Sequence, residues 1–545
     1  MPEPPLPLFV QALCDPAIHG NLAESVRLVE THISWVVLTG KYAYKIKKPV
    51  NFGFLDYSTL ALRHQFCVDE LRLNRRLAPS LYVDVVAITQ EDGHFEIDGK
   101  GVVVESAVKL KQFDETGLAD RLIAENRITA KHIDELAQCL AAFHDVAQCS
   151  GSDEHYGIPE TVLAAAEHNF DHLLRLCGEL GPANKAPSPD TIRSQGGGSA
   201  DSDGDSNLHQ LNSLLAWTRS EFQRLSGVFQ ARKLAGLVRE CHGDLHSGNL
   251  VLIDGRLVPF DCIEFSQDLR WIDCMSEIAF LFMDLEERGQ VNLAWRLLNR
   301  YLEINGDYAG LEVLHFYTVY RALVRAKVGA LALEKSIEST ERRLWQEKCH
   351  RYLDYACKPQ ARNPTLLITH GFSGSGKSFH SKWLAERLPA IRISSDIERK
   401  RKVRIGLGTT DTTVASNDLY SDTMTRQNYQ VLSDHAELLL NSGYNVLLDA
   451  SFLAAAHRRH CMELAGRLGV RFFILDFPAS AELLSERIVH RQQQGGDPSD
   501  ADLGVLALQL NRADPLDAQE VPFVLKVNTT DGADIDEVLR KLVAC

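Results

Sequence analysis

Two short strings in this chain place carboxylate, amide, ammonium and hydroxyl groups at the spacings that phosphoryl transfer needs. The downstream one, Gly371-Phe-Ser-Gly-Ser-Gly-Lys-Ser378, is a complete G-x-x-x-x-G-K-[ST] loop. Gly371, Gly374 and Gly376 let the backbone curl so that N–H groups, with those of Ser373 and Ser375, face a polyphosphate such as ATP. Lys377 adds a positive charge and the Ser378 hydroxyl can hold Mg²⁺. Thr365-Leu-Leu-Ile-Thr369 reads as a buried parallel strand before the loop, and Phe379, Trp383 and Leu384 follow at helical spacing. Asn445-Val-Leu-Leu-Asp449 is a second apolar strand, whose Asp449 either orients a Mg²⁺ shell or simply caps the next element. Asp396, ending Ile393-Ser-Ser-Asp396, could accept the proton of a substrate hydroxyl. Arg487 and Arg491, one helical turn apart, either clamp transferring phosphates or stand solvated on a surface helix.

The upstream string is Cys241-His-Gly-Asp-Leu-His-Ser-Gly-Asn249, followed by Leu252-Ile-Asp-Gly-Arg256 and Val258-Pro-Phe-Asp261. In an H-G-D-x-x-x-x-N loop Asp244 is set against an acceptor hydroxyl, Asn249 turns back to a metal, and Asp261, beyond a hairpin, reaches the same Mg²⁺.

The downstream region resembles the small P-loop kinases, of AAA type, near the zeta-toxin-like and gluconate-kinase-like groups, on the residues GFSGSGKS, SSD followed by ERKR, VLLDASF and the Arg487/Arg491 pair. That resemblance implies Asp396 as base and the two arginines as part of a lid over the nucleotide. The upstream residues resemble the aminoglycoside phosphotransferase and choline-kinase-like branch of the protein-kinase fold. This likeness extends to Lys41-Tyr-Ala-Tyr-Lys45-Ile-Lys47, a strand in which Lys45 stands where the phosphate-binding lysine is expected, with Lys47 the fallback on the same face. In the following helix Glu70 is the expected partner of that lysine, with Asp69 its competitor. Asp273 looks like the buried Asp that braces the catalytic loop, and Glu264 like a second acidic group near the metal. No G-x-G-x-x-G precedes Lys45, only Gly40, and there is no A-P-E motif, so a small-molecule acceptor is expected rather than a protein regulated through an activation loop. The order of all these segments is similar to a known fusion of the two families.

Positioning these groups takes two domains, and 545 residues exceed what a single core usually supports. The expected architecture is an α+β protein-kinase-like (aminoglycoside phosphotransferase) domain over 1–358, then an α/β P-loop NTPase domain with a parallel sheet over 362–545. The boundary is placed at the Pro-containing stretch Lys358–Pro364. Residues 181–206, rich in Gly, Ser, Asp and Pro, read as a disordered excursion whose Asp-x-Asp-Gly-Asp end lacks the rest of a Ca²⁺ loop. A formal charge of −15 disfavours nucleic acid as a partner, although the cluster Arg399, Lys400, Arg401, Lys402 and Arg404 leaves a nucleic-acid or nucleotide-sugar kinase open. There is no basic leader and no apolar run long enough for a bilayer, and the 12 cysteines show no C-x-x-C pair, so a cytoplasmic protein with reduced thiols and no membrane partner is expected. The function expected is transfer of the γ-phosphoryl group of Mg·ATP to small-molecule hydroxyls at two sites. The alternative is one catalytic module regulated by a nucleotide-sensing one.

Overall fold

The computed structural model describes residues 5–22, 26–53, 55–176, 202–336, 338–358, 363–407, 422–494, 502–529 and 534–544. Its contacts divide the chain into two units, one formed by Met1–Arg288 with Phe316–Ala356 and the other by Gly289–His315 with Cys357–Cys545.

In the first unit six antiparallel strands run in the order β1-β2-β3-β6-β4-β5: Arg27–Glu30, Ser34–Leu38, Tyr42–Lys47, Val102–Lys111, Tyr82–Glu91 and His94–Ile97. The alternation of β3 sorts its side chains. Tyr44 and Ile46 join Val10, Leu13, Trp35 and Val86 in a core on one face. Ala43 packs with Cys67, Leu81 and Val108 on the other, so Lys45 and Lys47 also point toward the helix Leu60–Asn74. That helix starts where Thr59 accepts the N–H of Leu62 at 3.2 Å, and it buries Cys67, Glu70, Leu73 and Asn74 along one stripe. The place of a glycine-rich loop is taken by the β1–β2 turn at Thr31-His-Ile33, where the Thr31 hydroxyl accepts the Ser34 N–H at 2.9 Å.

The rest of this unit is mainly helical. Its core gathers Phe170, Leu173, Phe280, Met283, Leu323 and Tyr352. Against it lie β7 (Val238–Glu240), paired with β10 (Trp271–Asp273), and the hairpin of β8 (Leu250–Ile253) and β9 (Arg256–Pro259). The hairpin turns on Asp254 and Gly255, both at positive φ, the Asp-Gly signature of a two-residue turn. The expected excursion at 181–206 lies outside the described residues as far as 201. From Ser202 onward the chain is helical, through Leu234. From Ser202 the last residues of that stretch are therefore helix rather than loop.

In the second unit five parallel strands run in the order β12-β13-β11-β14-β15: Ala390–Ser394, Asn445–Asp449, Thr365–His370, Arg471–Asp476 and Val524–Lys526. They are near-continuous apolar runs because helices cover both faces. Leu367, Leu447 and Leu475 pack with Leu384, Val538 and Leu542. The helix Val291–Asn305, which the sequence placed in the upstream domain, belongs to this unit. Its Asn299 amide pairs with the open edge of β12, donating to the Ala390 carbonyl at 2.9 Å and accepting the Arg392 N–H at 2.7 Å. An edge strand capped in this way leaves no ladder groups exposed at that point. Among the described residues no helix is long and apolar enough to cross a membrane, and no disulfide is formed.

Candidate functional site

In the first unit β3, the helix Leu60–Asn74 and the segment after β9 bring Lys45, Glu70 and Asp261 together. The Lys45 ammonium lies 2.9 Å from Glu70 Oε1 and also pairs with Asp261. Burial works against that charge, but Asp261 and Glu70 outweigh it and hold the Lys45 pKa well above its ordinary value. Lys47 is no fallback here. It is fully buried, donates to Glu70 Oε2 at 2.8 Å and pairs with Glu264, which also accepts from the Tyr57 hydroxyl. Glu264 is thus spent on Lys47 instead of standing beside a metal. Asp69 faces Arg72, at 3.9 Å, so Glu70 is the residue that meets the lysines. Asp261 has φ +64, a conformation that costs a non-glycine residue about 1 kcal/mol or more and that its surroundings must enforce. They do so through the Tyr82 hydroxyl, which accepts the Asp261 N–H at 3.1 Å, and through Asn74, which accepts the Cys262 N–H at 2.9 Å.

The loop Cys241–Asn249 delivers Asp244 and Asn249 to one another. The Asn249 amide donates to the Asp244 carboxylate at 2.9 Å and to its carbonyl at 3.0 Å, leaving the amide oxygen as the atom available to a cation. Burial opposes ionisation of Asp244, yet His246 and Arg325 outweigh it and hold the carboxyl well below the usual range. Gly243 has φ +89, and a Cβ there would lie 2.8 Å from the Leu269 carbonyl oxygen, so the Gly of H-G-D is sterically required. The brace of this loop is not Asp273, which pairs with Arg232 at 2.6 Å and caps the helix Cys274–Glu287. Two carboxylates of that helix do the bracing. Glu277 accepts the N–H groups of His242 at 3.1 Å and Gly243 at 2.8 Å, and Asp284 accepts the Ser247 N–H at 2.9 Å. Cys241 and Cys262 are buried, and burial is the main cause that pushes both thiols up, which fits inert packing.

In the second unit β11 runs into the loop and the loop into the helix Lys377–Arg387. Gly371, Gly374 and Gly376 have φ of +146, +84 and +92. A Cβ on Gly374 would stand 2.8 Å from the Leu484 carbonyl oxygen, so the loop's glycines are fixed by close approach as well as by φ. Lys377 donates to the Phe372 carbonyl at 2.7 Å and reaches Ser375 Oγ at 3.4 Å. Burial lowers its pKa to about 8, partly offset by Asp449 and Asp396, while Arg491 lowers it further. Asp449 accepts the Ser381 hydroxyl at 3.0 Å, and Ser378 also helps to lower its carboxyl. Burial opposes its charge, but Arg392 and Lys377 keep the carboxyl low. Asp396 pairs with Arg399 at 3.2 Å. Arg487 turns to the Thr529 hydroxyl at 3.0 Å and the Gly374 carbonyl at 3.5 Å, at the loop itself. The Ser373 N–H donates to the Gln509 side chain at 2.9 Å.

Sequence reading missed Arg392. Its guanidinium pairs with Asp449 and with Glu303 of the helix Val291–Asn305. An Arg inside an apolar strand was the available signal. In the expected basic cluster, Arg401 is bound to the Leu302 and Glu303 carbonyls and to Glu398, and Arg399 to Asp396 and Ser395, so the charges of these two arginines are already engaged within the fold. The Arg404 side chain lies outside the described residues.

Residues 366–516 match the family model described as an AAA domain. Over 482 residues the chain is 30% identical to the "Uncharacterized protein Rv2004c" of Mycobacterium tuberculosis, with 88% of each chain covered. The same figures hold for the "Uncharacterized protein Mb2027c" of Mycobacterium bovis: 30% identity over 482 residues and 88% of each chain. The chain belongs to the family of these mycobacterial proteins. Among solved structures it is similar to an ethanolamine kinase of Plasmodium vivax, at 13% identity over 62% of this chain and 84% of that one, with a TM-score of 0.35. It is also similar to a gluconokinase of Sinorhizobium meliloti, at 19% identity over 34% of this chain and 91% of that one, with a TM-score of 0.24. In this family member a unit built on a six-stranded antiparallel sheet is joined to one built on a five-stranded parallel sheet, and the AAA-domain match falls in the second.

Proposed function

We propose that this protein is an ATP-dependent phosphotransferase with two nucleotide sites, each passing the γ-phosphoryl group of ATP to the hydroxyl of a small molecule. One observation carries the reading: Lys45, Glu70 and Asp261 form one ion-paired group after the hairpin of β8 and β9, and Asp244 and Asn249 are hydrogen-bonded at its start. Lys45, oriented by Glu70, pairs the nucleotide phosphates. Asp244, ionised, takes the proton of the acceptor hydroxyl as that oxygen bonds to the γ-phosphorus, and the bond to the bridging oxygen breaks with its electrons leaving on ADP. In the second unit Lys377 and the loop N–H groups hold the phosphates, Asp396 takes the proton, and Arg487 and Arg491 cover the transferring group. Mg²⁺, when bound, neutralises charge on the phosphate oxygens. Asn249 and Asp261 would hold it upstream, and Ser378 and Asp449 downstream. A second reading, in which the downstream unit senses nucleotide without turnover, is favoured by Arg392, which already neutralises Asp449.

The test uses the full chain carrying Lys377→Ala, so that turnover reports the upstream site, with a panel of hydroxylated metabolites as acceptors. Asp244→Asn is expected to keep Mg·ATP binding and lose about two to four powers of ten in turnover. Asp261→Asn is expected to lose metal-dependent nucleotide binding as well. Wild-type turnover in Asp244→Asn would overturn the assignment.

A further inference from the structure

Two thiols and an imidazole meet in the interior of the upstream unit, and the proposed phosphoryl transfer leaves all three unused. A ring nitrogen of His144 and the Sγ atoms of Cys241 and Cys274 lie within 4.8 Å of one another, and each of the three residues is buried. They come from three elements. His144 stands in the last turn of the helix Ala130–Val146, Cys241 directly precedes His242-Gly-Asp244, and Cys274 opens the helix Cys274–Glu287. Main-chain bonds fix both cysteines: the Cys241 N–H donates to the Arg270 carbonyl at 2.8 Å, and the Cys274 N–H to the Leu237 carbonyl at 3.0 Å. The Cys241 thiol meets the Ile272 carbonyl only weakly, at 3.6 Å.

A buried cysteine often serves as nothing more than a small apolar side chain. Here the imidazole between the cysteines and Glu277 points to a ligand. His144 Nε2 lies 3.1 Å from Glu277 Oε1, the carboxylate–histidine contact that orients a metal-bound ring and fixes its tautomer. With the Nε2 proton shared with Glu277, the lone pair of the neutral ring is on Nδ1. Zn²⁺, with bonds of about 2.3 Å to sulfur and about 2.0–2.1 Å to nitrogen, sets its donors roughly 3.5–3.8 Å apart, so each pair of donors has at most about an ångström to close. Hard cations such as Mg²⁺ take oxygen donors, whereas two sulfurs and an imidazole suit Zn²⁺. Charge favours the same ion. Two thiolates cancel the charge of Zn²⁺, so the ion brings no net charge into the interior. A thiol that burial shields from solvent oxidants still yields its proton to a bound cation.

We propose that His144, Cys241 and Cys274 bind one Zn²⁺, with water in the fourth position, and that the ion ties two helices to the loop carrying Asp244. Binding forms two Zn–S bonds and one Zn–N bond, and the two thiol protons leave to solvent. The ion is held whether or not Asp244 acts as a base, so its site goes beyond the kinase reading.

The test is titration of the full chain, reduced and stripped of metal by a chelator, with Co²⁺ and then with Zn²⁺. Co²⁺ stands in for Zn²⁺ because its bonds to thiolate absorb in the near ultraviolet. A charge-transfer band is expected that saturates at one Co²⁺ per chain, is bleached by Zn²⁺, and is lost in the double variant Cys241→Ser/Cys274→Ser. Zn²⁺ is expected to raise the thermal midpoint of the wild type and to leave that of the double variant unmoved. His144→Gln keeps both sulfurs, and its affinity for Zn²⁺ is expected to fall about tenfold or more. A wild-type chain without the band would overturn the proposal with no variant needed. A band of equal strength in the double variant would put the ion on other cysteines and overturn it too. Where the cysteine variants fail to fold, the wild-type band and folded His144→Gln decide, and unchanged Zn²⁺ affinity in His144→Gln would contradict the site.

Discussion

Glu277 shows how one residue fixes the Asp244 loop from outside it. Its carboxylate receives two loop N–H groups and the His144 ring at 3.1 Å. Burial opposes the charge, but those hydrogen bonds and the neighbouring imidazoles bring its pKa from 4.5 to about 2. A carboxyl lowered in this way contributes stability that is present above its unfolded value and is lost as pH falls toward its folded one. Glu277→Gln is therefore expected to cost about 2–4 kcal/mol in denaturant unfolding at pH 7 and to shrink the loss of stability between pH 4.5 and 2. An unchanged midpoint would mean that the loop is held by something else. Lys377 works with the opposite sign. Its ammonium is buried and lowered from 10.5 to about 8, so without nucleotide it burdens the folded chain below about pH 8, and the burden lifts as pH rises toward 10.5. Lys377→Met is expected to raise the thermal midpoint of the nucleotide-free chain at pH 7 while weakening ATP binding. A lowered midpoint would contradict this. The meeting of Asp244 with Asn249 and the course of the glycine loop could be read from the sequence because the residues concerned lie at fixed local spacing. Glu277, Asp284 and Arg392 could not, because each reaches its site from an element distant in sequence, and Asp273 misled because a helix-capping Asp and a loop-bracing Asp read alike.

Elements show the same limit. Strand, loop and helix around Lys377 follow from apolar runs and glycines, and the Lys45 strand follows from its alternation. The helix Val291–Asn305 carries an amphipathic pattern that fits either unit, and only its contacts assign it. Leu297, Leu298, Tyr301 and Leu302 are buried there, and Asn299 and Glu303 meet β12 through backbone and Arg392. A cut in the linker 358–364 would leave this helix covalently on the upstream fragment while it packs in the downstream unit. The two fragments are therefore expected to co-elute in size-exclusion chromatography after limited proteolysis and to part only in denaturant. Separate elution of two folded fragments under native conditions would show that the helix is dispensable to the P-loop unit.

At the scale of the molecule, the proposed function requires two nucleotide sites in one chain, each with its own lysine, carboxylate and base. The net charge of −15 sets no strong field for polyanions, so binding depends on these local groups. Calorimetric titration of Mg·ATP into the full chain tests this most directly, by stoichiometry. Two nucleotides per chain are expected for the wild type, one for Lys377→Ala, one for Asp261→Asn, and none for the double variant. One nucleotide per wild-type chain, abolished by either substitution alone, would contradict the account.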